Sequence, residues 1–146
     1  MSILVTFVRV ALGLLLIAAG ALKVGHAPDL ASAIAGFRLP LPPEIVEPIA
    51  LILPFFEVFL GAYLVAGLFT RLAAWITCAQ FALYAAVIAS AVIRNIPANC
   101  GCFGPNDAAT ADWPHVAFDA ALALLALFLA LRAPGALALD RRLTRS

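Results

Sequence analysis

The sequence predicts an all-α, integral membrane four-helix transmembrane bundle, N-in/C-in, with a short interfacial helix in the first outer loop. Three observations predict it: the apolar content, four long apolar runs, and turn formers between those runs. Of the 146 residues, 65% are hydrophobic and 12% charged, whereas a soluble domain carries roughly a quarter of its residues as charges. Lipid must therefore cover most of the surface, and the length suits a single transmembrane domain over residues 1–146. A net charge of +1 leaves no basic face for nucleic acid.

The spans are expected at about 3–25, 44–69, 72–96 and 114–132, each meeting the ~20 residues needed to cross a ~30 Å hydrocarbon layer. The connection from His26 to Pro43 repeats Leu30, Ile34 and Phe37 at helical spacing after Pro28-Asp29, as a short helix lying on the membrane surface would. Pro40, Pro42 and Pro43 then break the helix ahead of the second span. Thr70-Arg71 marks a tight turn, and Arg94 to Trp113 holds the turn formers Pro97, Gly101, Gly104, Pro105 and Asn106. Ala19-Gly20-Ala21 has the small-x-small form of a cleavage site. Met1 to Val8 carries no Lys or Arg, however, and the run is long enough to span, so we read it as a retained helix.

Orientation follows from the positive charges beside the spans. Arg9, Arg71, Arg132, Arg141, Arg142 and Arg145 collect on the side of the termini, against Lys23, Arg38 and Arg94 on the other. Both termini are expected in the cytoplasm, with the Arg94–Trp113 loop facing out, into periplasm or its equivalent, where thiols can be oxidised.

Within the spans the polar residues are few. Glu57 sits near the middle of the second, where an ionised carboxylate costs at least ~2.5 kcal/mol and is normally turned inward. Arg9, Gly13, Leu16, Gly20 and Lys23 form one stripe on the first span, the pattern of a closely packed helix face. Arg9 and Glu57 differ in depth by roughly 8 Å, so an Arg9–Glu57 pair is expected, either holding the helices together or serving a proton or quinone site. Thr77, Gln80, Tyr84, Val87 and Ala91 make a comparable stripe for interhelical hydrogen bonds. His115 and Asp119 are four apart on one face of the fourth span, as in an Asp-oriented His or a merely interfacial one.

Asn99-Cys100-Gly101-Cys102-Phe103-Gly104-Pro105 carries the chemistry. Disulfide partners have Cα atoms ~5.5–6 Å apart, which a Cys-x-Cys backbone reaches only in restricted conformations; Gly101 eases this by admitting positive φ. A strained, exposed disulfide is easily reduced, as a redox-active bond must be. The readings are thiol–disulfide exchange at Cys100 and Cys102, a soft-metal site for Cu or Zn with His115 as third ligand, or a structural bond or inert thiols. Cys78 lies about 26 Å from the outer end of its helix, too far to resolve either cysteine, and reads as a small hydrophobe.

With these residues placed, the chain resembles the DoxX-like group of bacterial membrane proteins and, within it, the MauE family of methylamine utilisation. The resemblance rests on Arg9 and Lys23, on Pro54-x-x-Glu57 with Gly61, and above all on Cys100-Gly101-Cys102-Phe103-Gly104. It implies a four-helix membrane protein that helps process, transport or mature the methylamine dehydrogenase β-subunit with a thioredoxin-like, MauD-like periplasmic partner. Cys100 and Cys102 would exchange electrons with that partner. A full relay to quinone through two cysteine pairs, as in the disulfide generator DsbB, lacks its second pair here. A quinone as cofactor therefore stays open, as does the alternative of a membrane anchor for a quinone-linked oxidoreductase.

Overall fold

The computed structural model describes residues 2–101, 104, 109–133 and 138–140. Its helices are α1 (Ser2–Lys23), α2 (Ala27–Gly36), α3 (Pro43–Ala66), α4 (Thr70–Ile93) and α5 (Trp113–Arg132). α1, α3, α4 and α5 are long and apolar enough to cross a membrane. Ile3, Phe7, Leu72, Leu83, Ile93 and Leu124 are each more than half exposed, an arrangement that only a lipid surround makes favourable. The short helix expected after Pro28-Asp29 is present as α2, with a proline in its first turn and no buried residue.

The four long helices associate as two tight pairs, α1 with α3 and α4 with α5, and contacts between the pairs are sparser. Small residues explain the pairing, because lipid offers helices no hydrophobic drive and backbones must approach closely. On α1 and α3, Gly13, Gly20 and Gly61 bring the backbones together: a Cβ on Gly61 would stand 2.5 Å from the Gly13 carbonyl oxygen, and one on Gly20 2.5 Å from that of Pro54. Across the other pair, Ala73, Ala74, Ala123, Ala126 and Ala130 are buried.

α3 ends at Gly67, which takes the left-handed conformation at φ +71°, with the Leu68 amide donating back to Tyr63, a glycine stop of the kind that satisfies the last carbonyls of a helix. The next turn is held by a residue far away in sequence. Asp140 accepts hydrogen bonds from the Phe69 and Thr70 amides, both at 2.8 Å, and its own amide donates to the Gly67 carbonyl. The C-terminal segment thereby caps the start of α4 and shares one end of the bundle with the α3–α4 turn.

Burial pushes the Asp140 carboxyl up, but hydrogen bonds from Thr70 and Phe69 and the charge of Arg9 outweigh it, leaving the group below the ordinary Asp range. A depressed carboxyl stabilises the fold fully above its unfolded pKa, about 3.9. That contribution is lost as the pH falls through the lower folded value. Asp140→Asn should cost about 1 kcal/mol near pH 7, the worth of a good cap. Thermal unfolding in detergent should show the gap to wild type closing in acid below both pKa values.

Candidate functional site

At the opposite end of the bundle, buried polar groups from all four long helices converge. Lys23, the last residue of α1, donates to both carboxylate oxygens of Glu57, at 3.1 and 2.9 Å. Gln80 Nε2 and the Tyr84 hydroxyl, one turn apart on α4, also donate to Glu57 Oε1, at 3.1 and 2.6 Å. The carboxylate thus receives four hydrogen bonds, close to its full acceptor capacity. Lys23 and Glu57 are 4% and 1% exposed. An ion pair this dry is tolerable only because further donors complete it.

The expected Arg9–Glu57 pair is therefore incorrect; Lys23 takes the place of Arg9. The depth estimate favoured Arg9, but α1 meets α3 in a different register: a Cβ on Gly20 would stand 3.0 Å from the Glu57 Cβ, which sets Glu57 about 5 Å along the axis from Lys23 and about 16 Å from Arg9. Side chains on a helix also lean toward its N-terminus. Lys23 therefore leans back into the bundle toward Glu57, and Arg9 leans away from it. Glu57, on the antiparallel α3, leans toward Lys23. Arg9 is buried some 21 Å from Lys23 along α1, with its Nη1 where a Cβ on Gly67 would lie and Asp140 as a charged neighbour.

The His115–Asp119 relation also needs correction. His115 Nδ1 meets Asp112 Oδ1, and the His115 amide donates to the same oxygen at 3.0 Å, making Asp112 the N-cap of α5. The His115 ring and amide together hold the Asp112 carboxyl below its ordinary range. A cap bonds the amides two or three residues on, which put Asp112 in direct competition with the carboxylate one turn further along. Asp119 is buried instead beside a small cavity of about 30 Å³ that it shares with Lys23, Glu57, Tyr84 and His115. That is room for a water, and Asp119 Oδ2 has no protein hydrogen-bond partner among the described residues.

Cys100 lies just beyond this cluster. It is disulfide-bonded, 8% exposed, and packed in an apolar group with Phe37, Ile88, Ala91 and Ala98. Cys102 falls outside the described residues, and Cys78 is a free thiol within α4. The base of the cysteine loop is pinned by an antiparallel bridge between Asn99 and Thr110. The Cys100 amide donates to Ala109 and the Ala111 amide to Ala98, both at 2.8 Å. Gly101 adopts φ +61°, the conformation for which the glycine between the cysteines was expected. Arg94 secures the surround by donating to the Phe37 and Arg38 carbonyls, tying the end of α2 to the end of α4.

A cavity of about 390 Å³ opens between Lys23, α2 and the cysteine loop, with Lys23, His26, Asp29, Ser32 and Asn99 as its polar lining. Among the described residues no group of three or more His, Cys, Asp or Glu side chains could hold a metal ion. Sequence reasoning placed Gln80 and Tyr84 on a hydrogen-bonding stripe without identifying Glu57 as their acceptor, and it missed Asp112 and Asp140. An Asp three residues ahead of His115 and just before a proline-containing first turn was the available signal for Asp112.

No curated protein and no solved structure matches the chain. Residues 1–132, all four long helices and the cysteine loop included, match the family described as Methylamine utilisation protein MauE. The chain therefore belongs to the MauE family, as a multi-pass membrane protein of methylamine utilisation.

Proposed function

We propose that this protein exchanges electrons between a Cys100–Cys102 disulfide and a thioredoxin-like partner at the periplasmic face of the inner membrane. In this reading it serves the processing, transport or maturation of the methylamine dehydrogenase β-subunit. The observation that carries the reading is Cys100, disulfide-bonded at the base of a pinned loop beside an open polar cavity. A bond that only stapled the fold would gain little here, because a loop of one intervening residue removes little entropy from the unfolded chain. The excess of arginine at the end that holds the termini supports the periplasmic placement.

Burial of Cys100 divides the labour between the sulfurs. A partner thiolate attacks the sulfur of Cys102, and the S–S bond breaks with Cys100 leaving as thiolate. The partner's second thiol then attacks its own sulfur in the mixed disulfide and releases Cys102. The partner loses two electrons and two protons, and the cysteine pair gains them.

This order can be trapped. Oxidised protein incubated with a thioredoxin variant that keeps only its attacking cysteine should form a mixed disulfide mapped to Cys102, with Cys100 freed for alkylation. Attachment to Cys100, or no adduct at all, sinks the reading. Tagging of the loop by an impermeant maleimide in spheroplasts, after reduction with an impermeant phosphine, checks its side; a loop reached only after membrane lysis would reverse the orientation.

A further inference from the structure

A second cavity lies beneath the cysteine loop, and its lining is almost wholly apolar. It measures about 200 Å³ and runs between Leu30 and Ile34 of α2, Ile49 and Leu53 of α3, and Leu83 and Val87 of α4. Cys100, Lys23 and Tyr84 also line it. Ile49 and Leu83 are 37% and 60% exposed, so the cavity meets the lipid-facing surface where α3 and α4, members of different pairs, touch only lightly.

We infer that this cavity binds the ring of a lipid-soluble quinone, which accepts the electrons delivered to the cysteine pair. The inference rests on the thiol-exchange reading above and names its terminal acceptor class. Exchange with a partner leaves two electrons on buried Cys100 and its neighbour, and a catalytic cycle needs somewhere to send them. Cys100 lines an apolar cavity open to lipid, which suits a lipid-soluble acceptor better than a water-soluble carrier. An apolar cavity of about 150 Å³ takes up benzene, so about 200 Å³ admits a substituted six-membered ring, with an apolar tail leaving past Ile49 and Leu83.

The lining also supplies a polar handle suited to a ring carbonyl. An ammonium has three N–H donors, and Lys23 places two on Glu57. The third remains for a ligand oxygen. Glu57, itself held by Gln80 and Tyr84, fixes the ammonium in place, so its charge is already organised for the negative charge that develops on a quinone oxygen during reduction.

The chemistry balances with the groups named. The Cys100 thiolate adds to a ring carbon, forming a C–S bond. The Cys102 thiolate then attacks the Cys100 sulfur, so the S–S bond forms and the C–S bond breaks with its electron pair passing to the ring. The ring takes up two protons and leaves as hydroquinone. The dithiol has lost two electrons and two protons, and the quinone has gained both.

The test uses the full-length purified protein in detergent, a decyl-benzoquinone as probe, and reduced thioredoxin as electron donor. Wild-type protein should convert the quinone to hydroquinone with matching oxidation of thioredoxin. Leu53→Trp, which fills the cavity from α3, and Ile34→Trp, which fills it from α2, should each slow quinone reduction at least tenfold. Both should leave reduction of the Cys100 disulfide by thioredoxin unchanged, which also shows that the variants are folded. An azidoquinone should label the peptides that carry Ile34 and Leu83. Thioredoxin oxidation without quinone reduction, or quinone reduction undiminished in both variants, overturns the quinone site and leaves exchange standing. Failure of thioredoxin to reduce the disulfide at all removes both readings together.

Discussion

Lys23→Met should destabilise the protein by about 3–5 kcal/mol, the usual cost of removing one partner from a buried ion pair. Met has nearly the length of Lys, so packing changes little, while Glu57 at 1% exposure loses its counter-charge and two of its four hydrogen bonds. Tyr84 and Gln80 alone then hold its carboxyl within the hydrocarbon layer. The variant should show a sharp drop in folded yield and in thermal midpoint by size-exclusion in detergent. Adding Glu57→Gln should recover much of the loss, because a neutral amide still accepts from Tyr84 and no longer needs a counter-charge. A double variant as unstable as the two single losses summed would mean that the residues do not act as a pair. Arg9→Met makes the contrast, since it lies at the other end of α1 and its loss should be insensitive to the state of Glu57.

Gly61→Ala should lower stability by about 1–3 kcal/mol, the range for forcing one methyl into a packed interface. The added carbon would sit 2.5 Å from the Gly13 carbonyl oxygen and 2.8 Å from an Ile17 side-chain carbon. Neither helix can yield locally, because the first of those atoms is backbone, so α1 and α3 must separate as rods. Separation also stretches the Lys23–Glu57 bridge, and the loss in Gly61→Ala should therefore shrink in a Lys23→Met, Glu57→Gln background. Gly36→Ala serves as the control: a Cβ there meets nothing within 4 Å, and in the last position of α2 alanine favours the helix if anything. Equal thermal midpoints for Gly61→Ala and Gly36→Ala would contradict the close approach of α1 and α3.

Much of the candidate site was legible because membrane composition is so restrictive. A carboxylate in the middle of an apolar span has to be turned inward and partnered, and that argument found Glu57 from its position alone. The glycine stripe on α1 named the face that meets α3. Gly101 named the backbone freedom needed between two cysteines. The identity of the partner of Glu57 was not legible from depth, since Arg9 and Lys23 lie on the same stripe to either side of it. The register of α1 against α3, which sets Glu57 level with Gly20 and one turn from Lys23, decided it. Asp112 was overlooked for a related reason: a cap and a helical neighbour compete for one histidine, and local spacing alone ranks them equally.

Composition and pattern by themselves determined that this chain crosses the membrane through four apolar helices, and that two of its three cysteines sit in one loop. Both follow from local rules: the length that spans a bilayer, and the turn formers that end a helix. Only the tertiary structure decided that α1 pairs with α3 and α4 with α5, that Lys23 and not Arg9 neutralises Glu57, and that Asp140 closes the start of α4 from some seventy residues away. It alone also brought Cys100, Lys23 and Tyr84 to the walls of one apolar cavity. Those arrangements depend on register and crossing between helices, which are set by the summed fit of many small contacts.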